Sequence, residues 1–442
     1  MTPAARLAAT IDALDAIDAT PRPADGTLAA FFRQRRYMGA KDRAAVAERV
    51  YAILRHRARL GWCLARTGVG EDPDGRKLVL AYAVLGEGVG LKDLGRLFDG
   101  GQYAPAALTD GERALARELA GLALDDPAMP EPVRYECPDW AAGPLHAAFG
   151  ERFGAELSAL LAPAPLDLRL QEGRQSREAV IGRLAKDGIA AAPTPLSPLG
   201  IRVEGRPPLA GHPLFRSGVI EVQDEGSQLV ALLADARPGQ QVADFCAGAG
   251  GKALAMAARM QGKGRVVACE IAEGRLIRAK ERIKRAGVDN IEPKRLEHER
   301  DKWVRRQKGK FDRVLIDAPC SGCGAWRRNP DARWRPTELP ALAELQARIL
   351  ASAARLTRPG GRLIYATCSL LPEENLQQVE HFLSETEGFS IVPVTDVWRE
   401  ALGTEPPALD GPFLQLTPAR HHTDGFFVAV LQRTADAEAS SQ

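Results

Sequence analysis

A chain of 442 residues exceeds one ordinary domain, and 45% hydrophobic residues supply enough apolar side chain for more than one core. A charged fraction of 26% excludes wholesale disorder, and a formal net charge of +2 leaves whole-chain electrostatics silent about a partner. Seven scattered cysteines exclude the disulfide framework of a small secreted domain. Along the first 125 residues the pattern is helical. Leu7, Ile11, Leu14 and Ile17 recur at three- and four-residue steps, as do Val46, Val50, Ile53 and Leu54. Asp12, Asp15 and Asp18 interrupt the first apolar run, so it does not read as a secretory signal. No apolar stretch approaches the ~20 residues of a membrane span, and the expected home is the cytoplasm.

Pro127, Pro130, Pro132 and Pro138 punctuate the end of this unit, which sets an all-helical domain over 1–130. Over 131–220 the elements are short: a strand at 167–171, an amphipathic helix at 176–187 and a strand at 201–203, with a Pro/Gly-rich stretch between them. This predicts a small α+β module. From 221 to 434 strands and helices alternate. Strands are expected at 241–245, 265–269, 311–316 and 362–365, with helices at 252–260, 273–286 and 338–356. That rhythm predicts a parallel, doubly wound, Rossmann-like sheet with ligands at the carboxyl ends of its strands. The small, polar tail at 435–442 is expected to be disordered.

The segment Asp244-Phe-Cys-Ala-Gly-Ala-Gly-Gly-Lys252 lies where the first of these strands turns into a helix. Gly248, Gly250 and Gly251 permit positive φ and close approach to a ligand, and the helix start offers free N–H donors. Such a loop also serves merely to reverse a chain. Spacing favours a ligand: Glu270 ends the next strand about twenty residues on, where a carboxylate accepts from ribose hydroxyls. A Walker loop would need Ser or Thr where Ala253 stands, and a dinucleotide loop would need a different glycine register. S-adenosylmethionine, which carries no phosphate, suits an acid-flanked glycine loop better.

Cys320, in Asp317-Ala-Pro-Cys-Ser-Gly-Cys323, follows the third strand, and Cys368, in Ala366-Thr-Cys-Ser369, follows the fourth. Both fall at the carboxyl edge of the sheet, where an ionised thiol serves as a nucleophile. A lone cysteine is more often a small buried apolar residue. Cys320-x-x-Cys323 also fits a redox pair or half a zinc site, although His298, His421 and His422 show no ligand spacing and no metal is expected.

Taken in order, the motifs ending at Lys252, Gly322 and Ser369 resemble the Sun/RsmB family of RNA cytosine-carbon-5 methyltransferases. Val222-Gln-Asp-Glu-Gly-Ser227 and Arg328-Asn-Pro330 add to the match, which covers nearly the whole chain. The helical N-terminus resembles the NusB-like domain of the family's bacterial rRNA members. The resemblance implies that Cys368 attacks carbon-6 of cytosine and that Cys320 assists removal of the carbon-5 proton and release of the enzyme. Asp317 would bond the cytosine edge and lie near the cofactor. Cys246, Ala247, Gly248, Ala249, Gly250, Gly251 and Lys252, with Glu270 and Glu297, would hold S-adenosylmethionine. The sequence departs from the family loop, usually Cys-Ala-Ala-Pro-Gly-Gly-Lys-Thr, at Gly248, Ala249 and Ala253, and Glu297 replaces the usual Asp. Cys323 is given no role.

Arg327, Arg328, Arg333 and Arg335, with Asn329 and interleaved with Trp326 and Trp334, form an expected RNA contact to which Lys252 adds. The alternative is a solvated surface over buried tryptophans. Residues 294–310 carry eight positive charges against three acids, and residues 31–60 nine against two, so both stretches are further candidates for RNA. The expected partner is RNA, with small-subunit rRNA ahead of tRNA, and the chain is expected to work as a monomer without a membrane. A non-catalytic ribosome-assembly factor would have no need of Cys320, Cys368 and Asp317.

Overall fold

In the computed structural model, residues 1–68 and 73–435 are described, and the expected tail lies outside them save for residue 435. The chain divides into two units, the first made of Met1–Ala162 with Trp326–Thr337 and the second of Pro163–Ala325 with everything from Glu338 onward.

The first unit is helical. Its first seven helices are α1 (Pro3–Asp18), α2 (Ala24–Gln34), α3 (Ala40–Arg55), α4 (Arg57–Arg66), α5 (Gly75–Leu85), α6 (Leu91–Leu97) and α7 (Asp110–Leu119). Their apolar stripes meet in one core that contains Leu7, Leu14, Val46, Val50, Ile53 and Leu78, as the three-and-four spacing requires. Side chains close the helix starts: Thr109 and Glu112 make a capping box on α7, and Asp74 accepts from Lys77 N–H at the start of α5. Helices continue to Leu161, thirty residues past the expected boundary. The prolines near 130 introduce a turn without ending the unit, because Pro130 and Pro138 stand at the N-caps of the helices Glu131–Arg134 and Asp139–Phe149.

The second unit holds two sheets. The smaller is antiparallel, in the order β2–β3–β1–β4, from β1 (Leu166–Leu170), β2 (Ala191–Pro193), β3 (Gly200–Val203) and β4 (Ile220–Val222). With the helix Arg177–Lys186 it buries Leu168, Leu170, Val180, Leu184 and Ile201. The larger comprises β5 (Gln241–Asp244), β6 (Arg265–Glu270), β7 (Ile291–Arg295), β8 (Phe311–Asp317), β9 (Thr357–Thr367), β10 (Phe389–Val392), β11 (Leu414–Leu416) and β12 (Phe426–Arg433). Its order is β10–β12–β9–β8–β5–β6–β7, with β11 paired to β12. The five strands from β7 to β9 are parallel, as the alternating pattern predicts, whereas β10, β11 and β12 are antiparallel. Alternate residues feed two cores: Val242, Val266, Ile364 and Val428 on one face, Ala243, Val267, Leu363 and Phe427 on the other. Burial on both faces is why these strands read as continuous apolar runs.

Candidate active site

Parallel pairing of β8 with β9 sets Asp317 opposite Ala366, so the loops that follow these strands leave the sheet side by side. The Ala318 N–H donates to the Ala366 carbonyl at 2.8 Å and fixes the exit. This brings Cys320 and Cys368 together, with their sulfurs 3.4 Å apart as free thiols and both half-buried. The hydrogen bond to Cys368, then burial, push the Cys320 thiol well above its ordinary range. Cys320 therefore keeps its proton beside the Cys368 sulfur.

A segment that sequence reasoning passed over holds the two loops at this spacing. Glu374 is fully buried and its carboxylate accepts from Ser321 N–H at 2.8 Å, Ser321 Oγ at 2.5 Å, Gln346 Nε2 at 3.0 Å and Ser369 Oγ. Asn375 accepts from Thr367 Oγ1 at 2.5 Å and donates to the Ser369 carbonyl at 3.0 Å. The one available signal was an acid and an amide five and six residues past the Cys-Ser that follows an apolar strand. Cys323 bonds Ser369 and accepts from Leu370 N–H, and burial raises its thiol to about 12. Cys320 thus pairs with Cys368 rather than Cys323. Among the described residues no group of three or more His, Cys, Asp or Glu is arranged to hold a metal.

The glycine loop follows β5. Gly248 and Gly250 take φ of 56° and 79°, which a side chain would resist. Gly248 N–H donates to Glu270 at 3.0 Å, and the second Glu270 oxygen accepts from Ala272 N–H at 2.8 Å. A carboxylate has about four lone-pair sites, so Glu270 keeps acceptor capacity at the end of β6. Two guanidiniums hold the loop from outside. Arg282 donates to the Ala249 carbonyl at 3.1 Å and the buried Arg169 to the Gly251 carbonyl at 2.7 Å.

A cavity of about 220 Å³ opens here, lined by Asp244, Gly248, Ala249, Lys252, Arg282 and Asp317 among others. Lys252 Nζ contacts Asp317 at 2.6 Å. Burial works against the Lys252 ammonium, but Asp317, Asp244 and Cys368 together hold its pKa above the ordinary value. Asp244 is fully buried and neither oxygen meets a well-formed hydrogen bond. Burial first, then the Asp317 charge, raise its pKa to about 7. The arrangement can stabilise a cation over the loop and present two sulfurs to a flat substrate.

The structure brings Ala247, Gly248, Ala249, Gly251, Lys252 and Asp317 to one cavity, with Glu270 bonded to the loop. Cys246 is packed as a thiol whose pKa burial raises, and Gly250 turns the chain into the helix Gly251–Arg259. Glu297 is not brought to the cavity lining; it stands exposed past β7 with its N–H bonded to Asp301.

The expected RNA contact at 326–335 needs correction, because this stretch belongs to the helical unit and most of it is internal. Trp326 and Arg333 are fully buried and Arg327 nearly so. Arg333 donates to the carbonyls of Glu136 and Leu160, both at 3.1 Å, with its guanidinium 5.1 Å over the Trp326 ring. Arg335 pairs with Asp331, whose carboxylate also accepts from Ala24 N–H at the start of α2. Arg328 is half-buried, and Asn329 is the exposed member of the set. A guanidinium with its donors taken up by buried carbonyls has no phosphate to meet.

A mixed sheet of this order, with a glycine loop and an acid at the carboxyl ends of adjacent strands, defines an S-adenosylmethionine-dependent methyltransferase. A family profile described as 16S rRNA methyltransferase RsmB/F matches residues 231–432, and one for the RsmF/B-like ferredoxin-like domain matches residues 137–210. The ribosomal RNA small subunit methyltransferase B of Salmonella newport is 30% identical over 407 residues, covering 88% of this chain and 90% of that protein. The chain belongs to the RsmB/F family of 16S rRNA methyltransferases. The same fold is found in the crystal structure of PH0851 (24% identity, TM-score 0.77, 98% of this chain and 99% of that one). A methyltransferase homolog from Pyrococcus horikoshii aligns at 28% identity and TM-score 0.58, covering 69% of this chain and 97% of its own.

Proposed function

We propose that the protein methylates carbon-5 of a cytosine in small-subunit rRNA through a covalent adduct with Cys368. The observation that carries this reading is the 3.4 Å approach of the Cys320 and Cys368 sulfurs at one strand edge, beside the Lys252–Asp317 pair. The name and nearly full-length match of the Salmonella relatives support small-subunit rRNA as substrate.

The cavity fits S-adenosylmethionine by charge. Asp244 and Asp317 in the lining, with Glu270 bonded to the loop, are carboxyl groups that suit a ligand with a sulfonium and an ammonium. Ala247 to Lys252 and Glu270 would hold it, and when bound it supplies an electrophilic methyl group. Carbon-5 of cytosine is a poor nucleophile within the aromatic ring. Addition of the Cys368 thiolate to carbon-6 moves electron density to carbon-5 and divides one hard step into easier ones. Asp317, positioned by Lys252, holds the base edge. Once Cys368 is bonded to carbon, its hydrogen bond and its charge no longer keep Cys320 protonated. Once carbon-5 carries the methyl group, Cys320 loses its proton to water and takes the carbon-5 proton, and the returning electron pair expels Cys368 as thiolate. The target base must leave its stack to reach both sulfurs, which looped RNA makes cheaper.

Cys368→Ala should abolish methyl transfer to protein-free small-subunit rRNA, whereas Cys320→Ala should accumulate a protein–RNA adduct stable on denaturing gels. An adduct that persists without Cys368 refutes the roles, and mass spectrometry placing the methyl group off carbon-5 refutes the reaction.

A further inference from the structure

Most cations of the basic stretch at 31–60 are engaged inside the helical unit, three by acids and three by backbone carbonyls. Arg35 pairs with Asp12 and lies 3.6 Å over Phe31, and Arg43 donates to the Met38 carbonyl. Arg49 pairs with Glu87 at 2.6 Å and Arg57 with Asp18 at 2.7 Å. Arg55 and Arg59 donate to the carbonyls of Arg327 and Arg134. Three cations remain, Arg33, Arg36 and Lys41, all exposed around the turn between α2 and α3.

In the middle of that turn Tyr37 is 72% exposed. The turn is anchored from below. Met38 is 2% exposed in the helical core, its N–H donates to the Arg35 carbonyl at 3.0 Å, and its carbonyl accepts from Arg43 Nε at 2.8 Å. The neighbouring acid, Asp42, is occupied by Arg6 at 2.8 Å and by the N-terminal ammonium at 3.3 Å, so it does not cancel the three cations. An aromatic ring held outward on a fixed turn, ringed by unpaired cations, has the make-up of a stacking platform with phosphate contacts.

We propose that this turn grips the RNA substrate, with an unstacked base lying on Tyr37 while Arg33, Arg36 and Lys41 meet the flanking phosphates. The proposal rests on the RNA methyltransferase reading. It names where in the helical unit the substrate is held.

The test measures binding of the full-length chain to protein-free small-subunit rRNA by filter retention at several salt concentrations. Arg33→Ala, Arg36→Ala and Lys41→Ala combined should flatten the slope of log K against log salt by ~2, at ~0.7 per single-strand phosphate contact. Tyr37→Ala should weaken binding ~10-fold, as loss of one stacked base does, and leave the slope alone. In methylation assays both variants should raise KM for RNA and keep kcat. A control that removes Lys92, Arg96 and Arg113, exposed on α6 and α7 of the same unit, should leave the slope near wild type. An unchanged slope in the first triple variant, or an equal change in the control, overturns the proposal. So does displacement of the RNA from the wild type, but not from the triple variant, by polyglutamate at equal charge, which would assign the patch to an acidic protein. If the wild type transfers methyl groups to rRNA while the turn variants bind normally, only the turn proposal falls. If the wild type binds rRNA through the turn but transfers no methyl group, the catalytic reading falls instead.

Discussion

Replacing Glu374 tests whether the cysteine spacing is imposed from behind. Its carboxylate accepts four hydrogen bonds, from Ser321 N–H and Oγ on one loop, Ser369 Oγ on the other and Gln346 between them. Glu374→Ala strands these buried donors, at about 1–3 kcal/mol for each one left unsatisfied. Two stranded donors alone give ~2–6 kcal/mol, part of it recovered if the loops separate until water enters. That separation is the functional consequence: displacement of reacting atoms by ~1 Å costs on the order of 100-fold in rate. The alanine variant should therefore lose ~100-fold in kcat for methyl transfer, with KM for S-adenosylmethionine near wild type, because the glycine-loop cavity does not include Glu374. Glu374→Gln separates geometry from charge. Its oxygen still accepts from Ser321 N–H and Gln346, and the two serine hydroxyls can rotate to accept from its amide. It should keep its melting temperature within a few degrees and retain most of the adduct yield. The assays are labelled-methyl transfer to rRNA, adduct yield on denaturing gels, and calorimetry. An alanine variant that melts normally and turns over within threefold of wild type refutes the reasoning.

Arg333 is predicted to stabilise the fold and to leave RNA binding alone. Arg333→Ala should lower unfolding free energy by roughly 3 kcal/mol, the scale for breaking a buried, hydrogen-bonded charge, while leaving the salt slope of RNA binding unchanged; a stable variant with ~10-fold weaker RNA binding would reverse this assignment. Asp244 predicts a pH effect of definite sign. Its folded pKa of about 7 lies above the ordinary 3.8, so its contribution is fully present below pH ~4, declines as pH rises, and is gone above ~7. Three units at ~1.4 kcal/mol each set a ceiling of ~4 kcal/mol. Asp244→Asn should flatten the stability profile between pH 4 and 7 by an amount of that order, measured by denaturant unfolding without cofactor; an unaltered profile would show that Asp244 ionises normally.

What could be read in advance followed from periodicity and from strand-end chemistry. The helix Glu273–Ala286 matches its expected bounds, and strands β5, β6 and β8 fall within one residue of theirs, because apolar runs buried on both faces leave little ambiguity. Strand β7 escaped notice because Ile291-Glu-Pro-Lys-Arg295 is mostly polar and lies at the sheet edge. The antiparallel turn of β10, β11 and β12 was not legible either, since strand direction depends on connections that no local pattern encodes. Pro359-Gly-Gly361, between the helix expected at 338–356 and the strand expected at 362–365, lies inside β9, where the irregular pairing between Phe311 and Arg313 accommodates it. For the site, Cys320 and Cys368 were legible because successive strand ends in a parallel sheet share an edge. Glu374 was not, since its partners are 5, 28 and 53 residues away. Arg333 misled for the converse reason: a sequence shows that a residue is charged but not that Glu136 and Leu160 carbonyls await it.

The glycine loop shows how a departure from the family pattern is absorbed elsewhere. Gly248 and Ala249 stand where the related loops carry alanine and a φ-locking proline, and each freer residue adds entropy to the unfolded chain, at about 0.4–1 kcal/mol. The folded loop must be restrained by other means. Arg169 and Arg282 do so by capturing the Gly251 and Ala249 carbonyls. Both guanidiniums are themselves fixed, Arg282 by Glu221 at 3.0 Å and Arg169 by Gln223 at 2.6 Å. Register places Glu221 opposite Arg169 across β1 and β4, on the face of the small sheet opposite Leu168 and Leu170. That face carries charge where a free-standing sheet would carry core or solvent-exposed residues, and its partners are the carbonyls of a loop that must hold its shape over a cationic ligand. The small sheet is thus part of the scaffold of the proposed cofactor site, and the restraint that proline gives through one covalent ring is here distributed over four hydrogen-bonded side chains.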